Sequence, residues 1–596
     1  MRYKVITSLL FALGSCGFGL RAEAQTANWK TTYEKSGGVA TERYDETVAY
    51  CRRLATASKG RARVVVWGTS PQGRSLVALV LSSEGAFTPA AAVKSSRPLV
   101  VINNGIHSGE IEGKDADLIL ARDILITGSK ADLLAHLNLL IIPIFSVDAH
   151  ERFSPYNRIN QNGPTEMGWR ATAVNLNLNR DFMKADGEEM QAMLRLLHGW
   201  KPDFFFDNHT TDGADWQYTI QLDTPVAPTL GAGAVAWSKQ MLAAALPRVE
   251  NDGFLTSPYF DGVDYNRLDR GLTISDFGPR YSTGYLAAMN RPSMLVETHM
   301  LKPYRNRVEA TYSINLRVIE YIAATGKELR EINRNADAAE SHTKPGDRFV
   351  LEATTSRESR PFTFRGLEYR PFRSEVSGSM IPAWTRNPQD TLTTIRDQYL
   401  PGLTLEAPAA YAIPPQWKEV LQRLNLHGFE FKRLTHAYKS QFESYRFASV
   451  AFPPSPFESR FQPNYKTTKI TEERTLPPGT VVISTACTGA KLLMQLLEPE
   501  APDSLMHWGL FNNVFEQKEY FENYAMEPIA ATMLADDPKL KAEFEEKLKD
   551  LVFAGNPRAR LQFLYERSRY ADAFLNRYPV VRLTAAQLVE CTGPSH

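Results

Sequence analysis

The segment Asn104-Gly105-Ile106-His107-Ser108-Gly109-Glu110 places a histidine and a carboxylate three residues apart, with glycines nearby. In a tight turn after a strand, those two side chains can converge on one cation, and the glycines permit the backbone angles such a turn needs. Zinc accepts imidazole nitrogen and carboxylate oxygen, and catalytic zinc sites typically combine three protein ligands with one open position. His209, in Asp207-Asn208-His209-Thr210 behind the apolar run Phe204-Phe205-Phe206, supplies the third candidate ligand. The chain has no HExxH motif, and Ile111 rules out the inverted HxxEH pattern.

Glu297 follows the apolar run Met294-Leu295-Val296. A carboxylate directly after a buried strand carries a desolvation cost unless it is used or paired. Burial also raises its pKa, which suits general-base work on a metal-activated water. Asn177-Leu178-Asn179-Arg180-Asp181 offers a guanidinium, whose planar fork matches a carboxylate better than an ammonium does. Arg170, after Trp169, is a second such group. Each residue alone has a plainer reading as a loop histidine, a salt-bridged glutamate or a surface arginine. Their joint occurrence points to hydrolysis at a metal.

These residues need a scaffold that delivers strand ends to one place. Leu99-Val100-Val101-Ile102 and Leu139-Leu140-Ile141-Ile142 are continuous apolar runs, as in strands buried on both faces. Val64–Trp67 and Leu76–Leu81 frame a Pro71-Gln72-Gly73 turn and read as a hairpin. Helical spacing covers 41–59, 114–125, 190–197, 232–246 and 311–333. Strands alternating with helices predict an α/β layer with a largely parallel sheet. The polar groups after three strands, at Asn103-Asn104, Asp207-Asn208-His209 and Glu297-Thr298-His299, then share the carboxyl edge where such sheets bind ligands.

The chain has 596 residues, enough for two to four domains. Its net charge of +1, without any Lys/Arg tract, gives no field for nucleic acid or anionic membrane. Arg2 and Lys4, an apolar stretch from Val5 to Leu20 and Ala22-Glu23-Ala24 read as a cleaved export signal. Lipoprotein processing at Cys16 is the alternative to cleavage after Ala24. A periplasmic or secreted location follows, and no other segment reads as a membrane span. Four cysteines far apart make no disulfide framework and no CxxC zinc site. The divisions expected are a signal at 1–24, a catalytic domain at 25–335, a strand- and Pro-rich accessory region at 336–475 and a mostly helical region at 476–596. His427, Cys487 and Glu590 stand isolated in the C-terminal part.

Across residues 40–325 the set resembles the zinc carboxypeptidase (M14) family, in a divergent exported bacterial branch. The family's HxxE falls on His107 and Glu110, its distant His on His209, its Asn-Arg pair on Asn179 and Arg180, and its late Glu on Glu297. The resemblance implies a mixed sheet of about eight strands between helices, followed here by a C-terminal α+β region. It also implies one zinc per chain, Glu297 as base and Arg170 at the oxyanion. Asn179 and Arg180 then hold a peptide's free terminal carboxylate, and Tyr281 or Tyr285 is the family's mobile substrate tyrosine. Three features depart from the pattern. Asn177 stands near the position of an Asp that orients the first His, the choice of Tyr stays open, and Ser108-Gly109 replaces bulkier residues. The expected reaction is removal of a C-terminal residue from exported or environmental peptides. The alternatives are a zinc amidase or deacylase, including murein-peptide cleavage, and, last, a binding protein.

Overall fold

The structure is a computed structural model that describes residues 28–593, except 227, 261, 262 and 264. The expected export signal and Cys16 lie outside the described residues. Eight strands form the main sheet: β1 (Ala62–Thr69), β2 (Ser75–Leu81), β3 (Leu99–Asn104), β4 (Asn138–Ile142), β5 (Phe204–Thr211), β6 (Ile220–Asp223), β7 (Thr256–Pro258) and β9 (Ser293–His299). Their order is β1-β2-β4-β3-β5-β9-β6-β7. The central strands β4, β3, β5 and β9 run parallel, while the β1–β2 hairpin and β6 bring antiparallel pairings, so the sheet is mixed as expected.

Side-chain alternation explains why the central strands are apolar throughout. Val100, Ile102, Phe204 and Phe206 face a core built with the helices Tyr44–Ala57, Glu112–Arg122, Ala232–Asn251 and Tyr304–Ser341. Leu99, Val101, Phe205 and Leu140 face the other way. There the helix Glu188–Trp200 and C-terminal residues such as Tyr411, Leu492 and Trp508 cover them. The C-terminal part therefore shares one core with the catalytic sheet.

That packing revises the expected divisions. The helix Tyr304–Ser341 runs through position 335, because its apolar face continues to bury Leu329 and Asn333. A six-stranded sheet joins strands from both sides of position 475, including Ala410–Ile413, Tyr438–Ala451, Asn464–Leu476 and Val481–Ser484. A long β-ribbon (Arg360–Arg373 with Met380–Arg396) and a small helical cluster around Phe521, Phe544 and Tyr565 complete the chain. Cys51, Cys487 and Cys591 are free thiols. Among the described residues, no helix is long and apolar enough to cross a membrane.

One contact between the two parts is a buried polar chain. His427 Nε2 reaches the Met183 carbonyl at 3.0 Å, so His427 Nδ1 is the acceptor for Tyr285 Oη at 2.8 Å. Tyr285 Oη in turn accepts from His198 Nε2 at 2.9 Å. This direction of donation requires His427 to be neutral. Burial depresses His198 to about 3 and His427 to about 4, and it also depresses His150 and His299 to about 4. Unfolded histidines protonate near pH 6.5. The stabilisation is therefore present above about pH 6.5 and is lost as pH falls toward about 4. These four histidines should make the thermal midpoint fall as pH drops across that window. His427→Gln should flatten part of the acid limb. A midpoint unchanged between pH 7 and 4.5 would contradict this account.

Candidate active site

Gly105 ends β3 at φ +67°, the left-handed region that glycine occupies without strain. Chain reversal there brings Glu110 back toward His107, and the Glu110 amide donates to the His107 carbonyl at 2.9 Å. Ser108 Oγ donates to the carbonyls of Gly105 and Ser146, at 3.0 and 2.7 Å. The serine that departs from the family pattern thus ties the turn to the segment after β4. Gly113 marks a second close approach: a Cβ there would lie 2.1 Å from Asn104 Oδ1 and 2.8 Å from Asn208 Cβ. Below the turn, Asp117 accepts from Asn104 and Asn315 at 2.9 and 3.0 Å. The ends of β3 and β5 are thereby locked to the helices behind them.

Parallel pairing of β5 with β9 sets His209 opposite Glu297. Ligand atoms of His107, Glu110 and His209 all lie within 4.8 Å of one another, and all three residues are buried. Glu110 Oε2 is 3.2 Å from His107 Nδ1 and 2.9 Å from His209 Nδ1. The opposite ring nitrogens face oxygens: His107 Nε2 is 2.9 Å from Asn177 Oδ1, and His209 Nε2 is 3.0 Å from Asp207 Oδ2. Oxygen partners on both Nε2 atoms favour the tautomer with lone pairs on Nδ1, which is how outer partners orient metal-binding histidines. The other carboxylate oxygen, Oε1, takes Arg158 Nη2 at 2.5 Å and Arg170 Nη1 at 3.2 Å. Two imidazole nitrogens and one carboxylate oxygen, turned toward one point and backed by fixed acceptors, fit a zinc ion.

The electrostatics set the members of the cluster apart. Burial holds His107 down to about 4. Burial also opposes charge on His209, but the Asp207 and Glu110 carboxylates outweigh it and raise the imidazole well above its ordinary value. Glu110 is driven well below the usual carboxylate range against its burial, chiefly by Arg158 and His107. Glu297 is raised to about 8 by burial, reinforced by the negative charges of Glu110 and Asp207.

A cavity of about 740 Å³ opens over the cluster. Glu297, Arg170, Asn179, Arg180 and Tyr281 all line it. The Arg180 guanidinium lies 4.4 Å from the Tyr281 ring centroid and donates to the Asn179 carbonyl at 2.7 Å. Tyr285 is the exception among the expected residues. It is fully buried in the His198–Tyr285–His427 chain, because its place in the helix Ser282–Ala288 turns it to the core. Of the two tyrosines, only Tyr281 meets the cavity.

Three participants were not anticipated from sequence. Asp207 sits two residues before His209, and strand periodicity puts both on one face, so that signal was available. Arg158 lies in an irregular segment at φ +58°, where no periodicity marks it. Tyr259 lines the cavity after β7, close enough to Glu297 for that carboxylate to raise its pKa.

The sequence model of the zinc carboxypeptidase family (peptidase M14) matches residues 47–215. That span contains His107, Glu110, Arg170, Asn179, Arg180 and His209 and stops short of Glu297. Carboxypeptidase 2 of Trichophyton rubrum is 24% identical over 510 residues, covering 83% of this chain and 89% of that protein. A probable carboxypeptidase 2 of Arthroderma benhamiae is 22% identical over 504 residues, covering 82% and 90%. Both relatives are fungal, and alignments of that length extend into the C-terminal part. A metallo-carboxypeptidase from Burkholderia cenocepacia is 16% identical with a TM-score of 0.34, covering 48% of this chain and 69% of that one. The family match and the curated relatives support the zinc carboxypeptidase family for this chain.

The donor set leads to a direct expectation. Elemental analysis of the purified chain should find close to one zinc per molecule, and His209→Ala should lose it. Full zinc occupancy in His209→Ala would remove that residue from the ligand set.

Proposed function

We propose that this protein is a zinc metallocarboxypeptidase that hydrolyses the C-terminal peptide bond of peptides bearing a free α-carboxylate. The observation that carries this reading is Arg180. Its guanidinium is largely buried and lines the cavity of the His107–Glu110–His209 cluster. Its guanidinium donates to a neighbouring backbone carbonyl, and among the described residues no carboxylate forms an ion pair with it. Burying a cation without an anion is costly, so the site is built to receive one. Asn179 lines the same wall, and its side-chain NH2 is a donor that a carboxylate can accept.

His107, Glu110 and His209 would hold the zinc. When bound, zinc supplies Lewis-acid polarisation of the scissile carbonyl and of a water. The Glu297 carboxylate, set across from His209 on the adjacent strand, takes the proton of the attacking water and passes it to the leaving amine. Arg170 reaches along the cavity wall with its side chain half exposed and offers N–H donors where negative charge develops on the carbonyl oxygen. Tyr281 closes the side of the cavity against Arg180. Secreted or periplasmic peptides are the substrates this reading expects, through the export signal read from sequence.

An amidase or deacylase acting on a substrate without a free carboxylate would share the zinc cluster but leave the Arg180 charge unanswered. Glu297→Gln should keep zinc and lose about 10²–10⁴ in kcat, as removal of a general base commonly does. A zinc-replete Glu297→Gln enzyme with parental kcat would move the base elsewhere.

Charge-assisted bonds to a carboxylate contribute about 1.5–3 kcal/mol. Amidating the substrate's C-terminus should therefore cut kcat/KM by at least tenfold. Arg180→Ala should slow only the free-acid peptide. Equal cleavage of amidated and free peptides by the parent, or cleavage inside the peptide, would sink the carboxypeptidase reading and leave an amidase or endopeptidase on the same cluster.

A further inference from the structure

One turn of the C-terminal part reaches the active-site loop directly. Between the strands Tyr438–Ala451 and Asn464–Leu476, Phe457 and Arg460 pair across a two-residue turn, with reciprocal backbone bonds of 2.9 and 3.0 Å. The two central residues, Glu458 and Ser459, both have positive φ, +48° and +66°. Such turns favour Asn and Gly at these positions, and two ordinary L-residues there carry strain that surrounding contacts must hold.

Those contacts are present on both sides. The Phe457 ring stacks on Trp508 at 6.2 Å and 18°. Arg460 grips Asp186 through two bonds of 3.0 and 2.6 Å and also reaches Glu419 at 2.9 Å. So clamped, the turn projects Glu458, whose Oε2 accepts the backbone N–H of Asn177 at 3.3 Å. Asn177 is the residue whose Oδ1 faces His107 Nε2, and the same Oδ1 caps the Asn179 amide at 3.1 Å. The Glu458 charge also lies near enough to Arg180 to favour that guanidinium's charged state.

We infer that Glu458 is a positioning residue for the active site, contributed by the C-terminal part. It fixes the backbone of Asn177, and Asn177 in turn orients His107 as a metal donor and sets the Asn179–Arg180 turn. An Asn orients a histidine with a neutral amide rather than a charged carboxylate, so its geometry must be secured from outside. Glu458 secures it, at the expense of a strained turn. This inference rests on the proposed role of His107 as a zinc ligand.

The test is zinc affinity of the full-length chain, measured by competition with a chromophoric chelator and paired with the thermal midpoint of the metal-free protein. Glycine adopts positive φ without strain. Glu458→Gly should therefore keep or raise the midpoint while weakening zinc binding about tenfold, the scale on which outer partners act on a metal ligand. Glu458→Gln retains an acceptor oxygen for the Asn177 N–H and should restore near-parental affinity. Parental zinc affinity in Glu458→Gly would overturn the inference, as would a Gln variant as weak as the Gly variant. A Glu458→Gly midpoint below the parent's would reduce Glu458 to a structural brace. Because the readout is zinc binding, a parent that binds zinc yet fails to cleave peptides would defeat the carboxypeptidase reading without touching this one.

Discussion

Glu110 is a fully buried carboxylate, and burying such a group is prohibitive unless every lone pair is answered. In this chain Arg158 and Arg170 donate to one oxygen and the Thr210 amide donates to the other, which also faces the two imidazoles. Those partners come from separate stretches of sequence, and only the eight-stranded sheet brings them together. The sheet's order, the β3 turn and the register of β5 against β9 can be read as the means by which one carboxylate becomes affordable inside a protein. Its two oxygens are also chemically distinguished. The arginines neutralise one, and the other is left toward the imidazoles, which is the asymmetry a single-oxygen metal ligand needs.

The same economy shapes Glu297. It lies across from His209 in the sheet, but no basic side chain is bonded to it, and nearby Glu110 and Asp207 add repulsion to its burial. Two buried glutamates within one cavity are thus driven in opposite directions, Glu110 down and Glu297 up. Divergence of this kind between neighbouring carboxyls separates a permanently charged ligand from a proton carrier. The difference arises from which one the arginines can reach.

Much of this was legible in the sequence, for identifiable reasons. The strands at Leu99, Leu139, Phe204 and Met294 announced themselves because burial on both faces leaves no room for polar residues. The polar groups behind them marked the carboxyl edge of the sheet. His107, Glu110, His209, Asn179, Arg180 and Glu297 all meet at the one cavity. What could not be read was anything fixed by packing between distant segments. Tyr281 and Tyr285 are four residues apart on one short helical stretch, and only the core decides which one faces inward. Arg158 lies in a loop without period. Strands on either side of position 475 pair in one sheet, and such non-local pairing leaves no mark in composition.

The C-terminal part is welded to the catalytic layer where the substrate-facing loop turns. Asp181, Lys184 and Asp186 follow directly after Arg180 and form a buried ion network, which Arg423 and Arg460 complete from the C-terminal part. Nearby, Arg280 pairs with Asp503 at 2.6 Å beside Tyr281, and both Arg280 and Lys184 lie over the Trp508 ring. Removing the C-terminal part would leave Asp186 with Lys184 alone and Arg280 without its paired carboxylate, and poorly paired buried charges do not stay where they are. The loop carrying Asn177, Asn179 and Arg180 therefore owes its shape to both halves of the chain. The catalytic layer contributes the metal donors and the base. The C-terminal part holds the wall against which a terminal carboxylate can be recognised.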